Sequence, residues 1–292
     1  MTHVYYSQRT GSNPNPDGLS LSDTLDLFKR SYIQLKQEGY FTEALGYDCV
    51  DVADHIEGEI KDIDLEILLA IRKRDLWPIQ VHFAEYKEDD LFDMIEFLCQ
   101  IVSKPIDGTM HSWGNCGMHW ETFNKTEGQK EYRERVNRML SLYERKFELS
   151  ASGEVLLKAE AGFDRIFDAD LPTSDPKIRD RVDAAVLRFR RHSSTLDDRR
   201  QAVRDLADVF EYLRPKVKAI LTTKDESDLF NIANNFGIRH HNELQKTSYD
   251  ATWLNWMFYF YLATVHTLVR KIGKDASGMT MSQKTFKVAV GG

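Results

Sequence analysis

The segment Trp253 to Val269, WLNWMFYFYLATVHTLV, is the strongest constraint on what this chain can fold into. It is apolar on nearly every side at helical spacing, and a helix of that kind has to be buried. It is 17 residues long and carries Asn255 and His266, whereas a bilayer span needs about 20 predominantly apolar residues. The spacing therefore predicts a buried helix over 251–272 and no membrane contact. Trp and Tyr are also common at interfaces, so the aromatic face of 253–261 has two readings: the core of a monomer, or the contact between two copies in a homodimer.

Other segments show the same periodicity. Leu25, Phe28, Tyr32 and Leu35 recur at three- and four-residue steps before Gly39, with Ser22 as the expected N-cap. Further helices are predicted over 63–73, 88–103 and 129–146. The stretch 106–120, IDGTMHSWGNCGMHW, reads as a glycine-containing loop, and FELSASGEVLLKAE (147–160) as a small β-hairpin. Helices follow at 177–192, from Thr195 through Ile220 with Pro215 expected to bend or break it, and at 225–238. The tail beyond Gly273 is expected to be loosely held. The fold class is mainly α: a C-terminal helical bundle preceded by a mostly helical N-terminal domain with a small β-hairpin.

Charge divides the chain at the Pro- and Asp-rich stretch DADLPTSDP (168–176). Residues 1–173 carry a net charge of −13 and residues 174–292 a net charge of +6. The domains are accordingly drawn as 1–173 and 174–292. A polyanion would meet the second half, although the two halves also suit one another. Cys49, Cys99 and Cys116 are few, odd in number and without a CxxC. That favours a reducing compartment without structural disulfides, and a cytoplasmic location.

Arg239, His240, His241 and Asn242 stand together in FGIRHHN. None of them suits an apolar core. Histidine transfers protons near neutral pH, and arginine presents a planar fork of donors to phosphate. The competing reading is a polar helix end, with Arg239 paired to Glu211 and the histidines on the helix C-terminus.

The order of segments, AVRDLADVFEYLRPKVKAIL, then FGIRHHN, then a final apolar helix, resembles the HEPN superfamily of abortive-infection and other prokaryotic defence proteins over about 177–272. Ile238, Arg239 and His240 match the start of that family's motif. Glu243, Leu244, Gln245 and Lys246 stand where the family's distal His would fall. The resemblance implies a HEPN-like helical domain acting as a metal-independent endoribonuclease, in which the RNA 2′-OH attacks its own phosphate. It implies Arg239 on the phosphate, His241 or His240 in proton transfer, Asn242 and Lys246 in substrate binding, no cofactor, RNA as substrate and a homodimer. The alternative is a non-catalytic HEPN-like module for dimerisation or partner binding in a multi-protein defence complex. LFDMIEFLCQIVSKP, CGMHW and FELSASGEV are similar to AbiJ-like N-terminal regions, which implies a regulatory or sensing domain and a regulatory protein partner.

His111, Cys116 and His119 form a second, weaker candidate, a metal site in HSWGNCGMH that lacks a fourth ligand unless Cys49 or Asp48 supplies it. Otherwise the same stretch is a loop with Cys116 and Trp113 packed inward. Asp48, Asp51, Asp54 and Glu57 could bind a cation or a basic partner, but their three-residue spacing reads more simply as one solvated helical face, and YKEDD (86–90) as a solvated helix start.

Overall fold

The computed structural model describes residues 3–51, 55–159, 163–167, 169–218, 224 and 250–288, the last fourteen of these (275–288) and Asn115, Asp164 and Arg165 by backbone alone. The chain is mainly α-helical, about 59%, and carries three two-stranded antiparallel sheets among the described residues. It divides into two compact units, Met1–Leu157 and Lys158–Gly292, each with its own apolar core. The division falls ahead of residue 174 because the connecting stretch already belongs to the second core. Phe163 stacks on Tyr259, and Leu171 is buried there.

The first unit is held by three amphipathic helices, following α1 (Tyr6–Thr10): α2 (Leu21–Gln37), α6 (Glu88–Ile101) and α7 (Lys125–Leu140). Between α2 and α6 lie α3 (Thr42–Leu45), β1 (Tyr47–Asp48), β2 (His55–Ile56), α4 (Ile63–Ile71) and α5 (Ile79–His82). The α2 stripe Leu25, Phe28, Tyr32 and Leu35 is buried, as its spacing predicts. Its N-cap is Ser20 rather than Ser22: the Ser20 hydroxyl accepts from the Asp23 N–H at 3.2 Å. Tyr132 of α7 donates to the Ile95 carbonyl of α6 at 3.0 Å, so this buried phenol keeps a partner.

Two expectations are corrected. The stretch 106–120 is no loop: β3 (Lys104–His111) and β4 (Gly117–Asn124) pair antiparallel from Lys104↔Asn124 to His111↔Gly117. Register shifts beside Asp107 accommodate Pro105 at one end of the hairpin. The acidic residues near 50 do not share a helical face either, since β1 pairs with β2 (Asp48↔His55); Asp54 lies outside the described residues. The expected hairpin at 147–160 is present as β5 (Phe147–Leu149) and β6 (Val155–Leu157). YKEDD opens α6 as expected, yet Glu88 also accepts from Tyr143 at 2.5 Å and Asp90 from Lys73 at 2.7 Å.

Among the described residues the second unit comprises α8 (Asp164–Phe167), α9 (Pro176–Arg190), α10 (Leu196–Val217) and α11 (Ala251–Val288). Thr195 caps α10 reciprocally with Asp198, accepting its N–H at 3.1 Å and donating its own to the carboxylate at 2.9 Å. Pro215 sits in the last turn and α10 runs on to Val217. Helix α11 also continues past Gly273, to Val288, where a loose tail was expected.

Helices α9 and α10 are antiparallel, with Tyr212 near the end of α10 donating to Asp175 at the start of α9 at 3.1 Å. Phe258 near the start of α11 stacks on Phe189 at the end of α9, centroids 3.9 Å apart. Arg199 in the first turn of α10 donates to Asn255 in the first turn of α11 at 3.1 Å. Helices α10 and α11 therefore run parallel.

His266 of α11 is buried, and its Nδ1 has no hydrogen-bond partner among the described residues. Burial, reinforced by Arg270 and opposed by Asp170, holds it below the usual imidazole range. A lowered folded-state pKa contributes stability that is present above the unfolded value and lost as pH falls through the folded one. The melting temperature of the second unit is expected to fall on acidification from about pH 7 to about pH 5, across the ordinary histidine pKa of ~6.5. His266→Leu should flatten that slope. A variant whose pH profile matches the parent's would show that His266 does not contribute.

Candidate metal centre

The β3–β4 hairpin and the strand end after β1 bring four soft or borderline ligand atoms together. Cys49 follows β1, His111 ends β3, Cys116 immediately precedes β4, and His119 lies within β4. Their ligand atoms all lie within 4.8 Å of one another. The pairing explains why the two histidines meet. His119 faces Thr109 across the ladder, and His111 is two residues on from Thr109, on the same face. The two rings sit 4.9 Å apart.

The turn between the strands supplies Cys116. Gly114 adopts φ +58° there, and a β-carbon at that position would meet the Val50 side chain at 3.1 Å. The turn thus lies directly on the segment that bears Cys49. Trp113 of this turn does not pack inward: it is 72% exposed.

The ring nitrogens are individually placed. His111 Nδ1 faces Cys49 Sγ at 3.9 Å, and its Nε2 is 3.0 Å from the Asp51 carboxylate. His119 Nε2 faces Cys116 Sγ at 3.1 Å, and Cys116 Sγ also donates to the Asp48 carbonyl at 3.7 Å. The Tyr47 ring covers His119 at 4.6 Å, and burial with the neighbouring Cys49, Cys116 and Glu121 pushes its hydroxyl pKa up. Cys49 is buried, and the other three groups are half-buried.

Of the two fourth ligands considered from sequence, Cys49 joins the cluster. The Asp48 carboxylate turns away to His55 Nδ1 at 2.8 Å, and the other ring nitrogen of His55 meets the Leu45 carbonyl at 2.7 Å. The Asp48 hydrogen bond, and then that to Leu45, raise the His55 pKa. With both nitrogens engaged, His55 stands apart from the four. Spacing alone puts Asp51 on a solvated acidic face or beside a cation; its place beside His111 depends on a turn that residue spacing does not reveal.

Arg239, His240, His241, Asn242 and Lys246 lie outside the described residues, as do the predicted helix at 225–238 and the expected pair of Arg239 with Glu211. Glu211 itself meets Arg214 at 3.5 Å. The aromatic run is described: Leu254, Met257, Phe258, Tyr261 and Leu262 fill the core of the second unit, while Trp253 and Trp256 remain 46% and 42% exposed. Among the described residues no helix is long and apolar enough to cross a membrane. Comparison with protein-family models, with curated proteins and with solved structures finds no match.

Proposed function

We propose that the chain is an RNA-cleaving effector of the HEPN type, with its chemistry in the second unit and a regulatory or sensing role in the first. The observation that carries this reading is the Arg239–His240–His241–Asn242 constellation, which falls in sequence between two helices of one bundle, α10 and α11. The net positive charge of residues 174–292 favours a polyanionic substrate. In this mechanism His241 accepts the proton of a ribose 2′-OH. The 2′-oxygen attacks the adjacent phosphorus, the P–O5′ bond breaks, and the 5′-oxygen leaves with a proton delivered by a second histidine. Arg239 binds the non-bridging oxygens and offsets the charge that develops on them. Asn242 and Lys246 hold the strand. The partner groups of a homodimer complete the groove.

The discriminating experiment uses an RNA strand and its fully 2′-O-methylated counterpart in buffer without magnesium. Cleavage of the RNA alone, leaving 2′,3′-cyclic phosphate and 5′-hydroxyl ends, is the expected result. Cleavage of the methylated strand, or strict dependence on added Mg²⁺, would refute the mechanism. The absence of a histidine at 243–246 favours a second reading, a non-catalytic dimerisation or partner-binding module. A folded dimer, seen by light scattering, that cleaves no RNA would establish that reading instead.

A further inference from the structure

We propose that the first unit binds one zinc ion through Cys49 Sγ, His111 Nδ1, Cys116 Sγ and His119 Nε2, with Asp51 as the positioning residue that orients His111. This site is separate from the ribonuclease reading and does not depend on it. Tetrahedral zinc takes thiolate sulfur at about 2.3 Å and imidazole nitrogen at about 2.0–2.1 Å, which puts neighbouring ligand atoms on the order of 3.3–3.8 Å apart. The distances of 3.1 Å for Cys116–His119 and 3.9 Å for Cys49–His111 bracket that range, and all four atoms fall inside 4.8 Å. Small side-chain rotations close the remaining gap.

Two further observations point to a cation rather than to a chance cluster. The Asp51 carboxylate sits on the ring nitrogen of His111 that faces away from the sulfurs, at 3.0 Å. Metal-bound histidines keep such a partner, which fixes the tautomer and raises ligand basicity. Moreover, His119 and His111 turn different nitrogens toward the same centre, Nε2 and Nδ1. Two thiolates and two neutral imidazoles balance the dication.

Four protein ligands leave no open position, so the ion is structural rather than catalytic. Its effect is to fasten the tip of the β3–β4 hairpin to the segment after β1. Zinc is favoured over magnesium or calcium because the donors are sulfur and nitrogen, not oxygen.

The test uses the full chain purified without chelator. Elemental analysis is expected to give about one zinc per chain, and replacement by Co²⁺ should produce the visible bands of a tetrahedral thiolate–imidazole centre. Cys116→Ser and His119→Gln are each expected to lose the ion, with circular dichroism confirming that the helices persist. Asp51→Asn alters an exposed carboxylate and should leave the fold intact. It is expected to weaken zinc about 10–100-fold in competition with a chromophoric chelator. The proposal is overturned by a metal-free protein, by a Cys49–Cys116 disulfide in the purified chain, or by full zinc retention in Cys116→Ser and His119→Gln. An unchanged affinity in Asp51→Asn would remove Asp51 from the site.

Discussion

Arg239→Ala and His241→Ala are each expected to lower RNA cleavage by about 10²–10⁴-fold, the usual contribution of a positioned acid–base group or a charge-stabilising donor. The arginine variant loses phosphate binding together with transition-state stabilisation, so both KM and kcat should suffer. The histidine variant should lose kcat with little change in KM. His240 occupies the position that the resembling family fills with Asn, Asp or His, and His240→Ala should have a milder effect. Lys246→Ala should weaken RNA binding and reduce its salt dependence, because one phosphate contact is lost. Melting temperatures of all four variants should stay within a few degrees of the parent. If Arg239→Ala and His241→Ala remain folded and fully active, the assignment to this segment is wrong. If both unfold, the segment is a helix end held by its polar partners.

Phe258→Ala is expected to cost about 3–5 kcal/mol of stability in the second unit. Phe258 is fully buried, stacks face to face on Phe189 and lies beside Phe167. Truncation removes ring–ring contact on two sides and leaves a cavity between rigid helices. In a unit of this size the melting temperature should fall by roughly 10 °C or more. Trp256→Ala on the same helix is the control. Trp256 is 42% exposed, and its loss should cost much less. The transition of the first unit should not move in either variant, because its core shares no residue with this one. Equal destabilisation by the two substitutions, measured by calorimetry, would contradict the packing described.

The helices were legible because burial of one face writes a 3.6-residue period into the chain, as in Leu25, Phe28, Tyr32 and Leu35. Ser20 is legible too, through Asp23 three residues on, although Ser22, which lies inside the helix, competes with it as N-cap by residue type alone. The β3–β4 hairpin was hidden for a physical reason. Few of its side chains are deeply buried, so no clean alternation marks it, and Pro105 and Gly108 both read as loop residues. With the hairpin hidden, the geometry of the candidate metal centre was hidden as well. His111, Cys116 and His119 are close in sequence, yet only the ladder register puts the two histidines on one face. Cys49 arrives from a segment more than sixty positions away; the sequence offers it and Asp48 alike as the fourth ligand, and only the fold decides between them.

The parallel arrangement of α10 and α11 has a kinetic consequence. Helices α9 and α10 are joined by the five residues 191–195 and form a local hairpin, whereas 33 residues separate Val217 from Ala251. By chain-closure entropy the longer connection costs on the order of 1–2 kcal/mol more to close. The α9–α10 hairpin is therefore the natural folding nucleus, and α11 docks on it afterwards. Substitutions at the α9–α10 contact should slow folding, while those confined to α11 should mainly hasten unfolding. Until α11 docks, the Phe210 ring that packs on Tyr261 stays open to water. The lifetime of that half-built bundle then sets how readily the chain aggregates while it is being made.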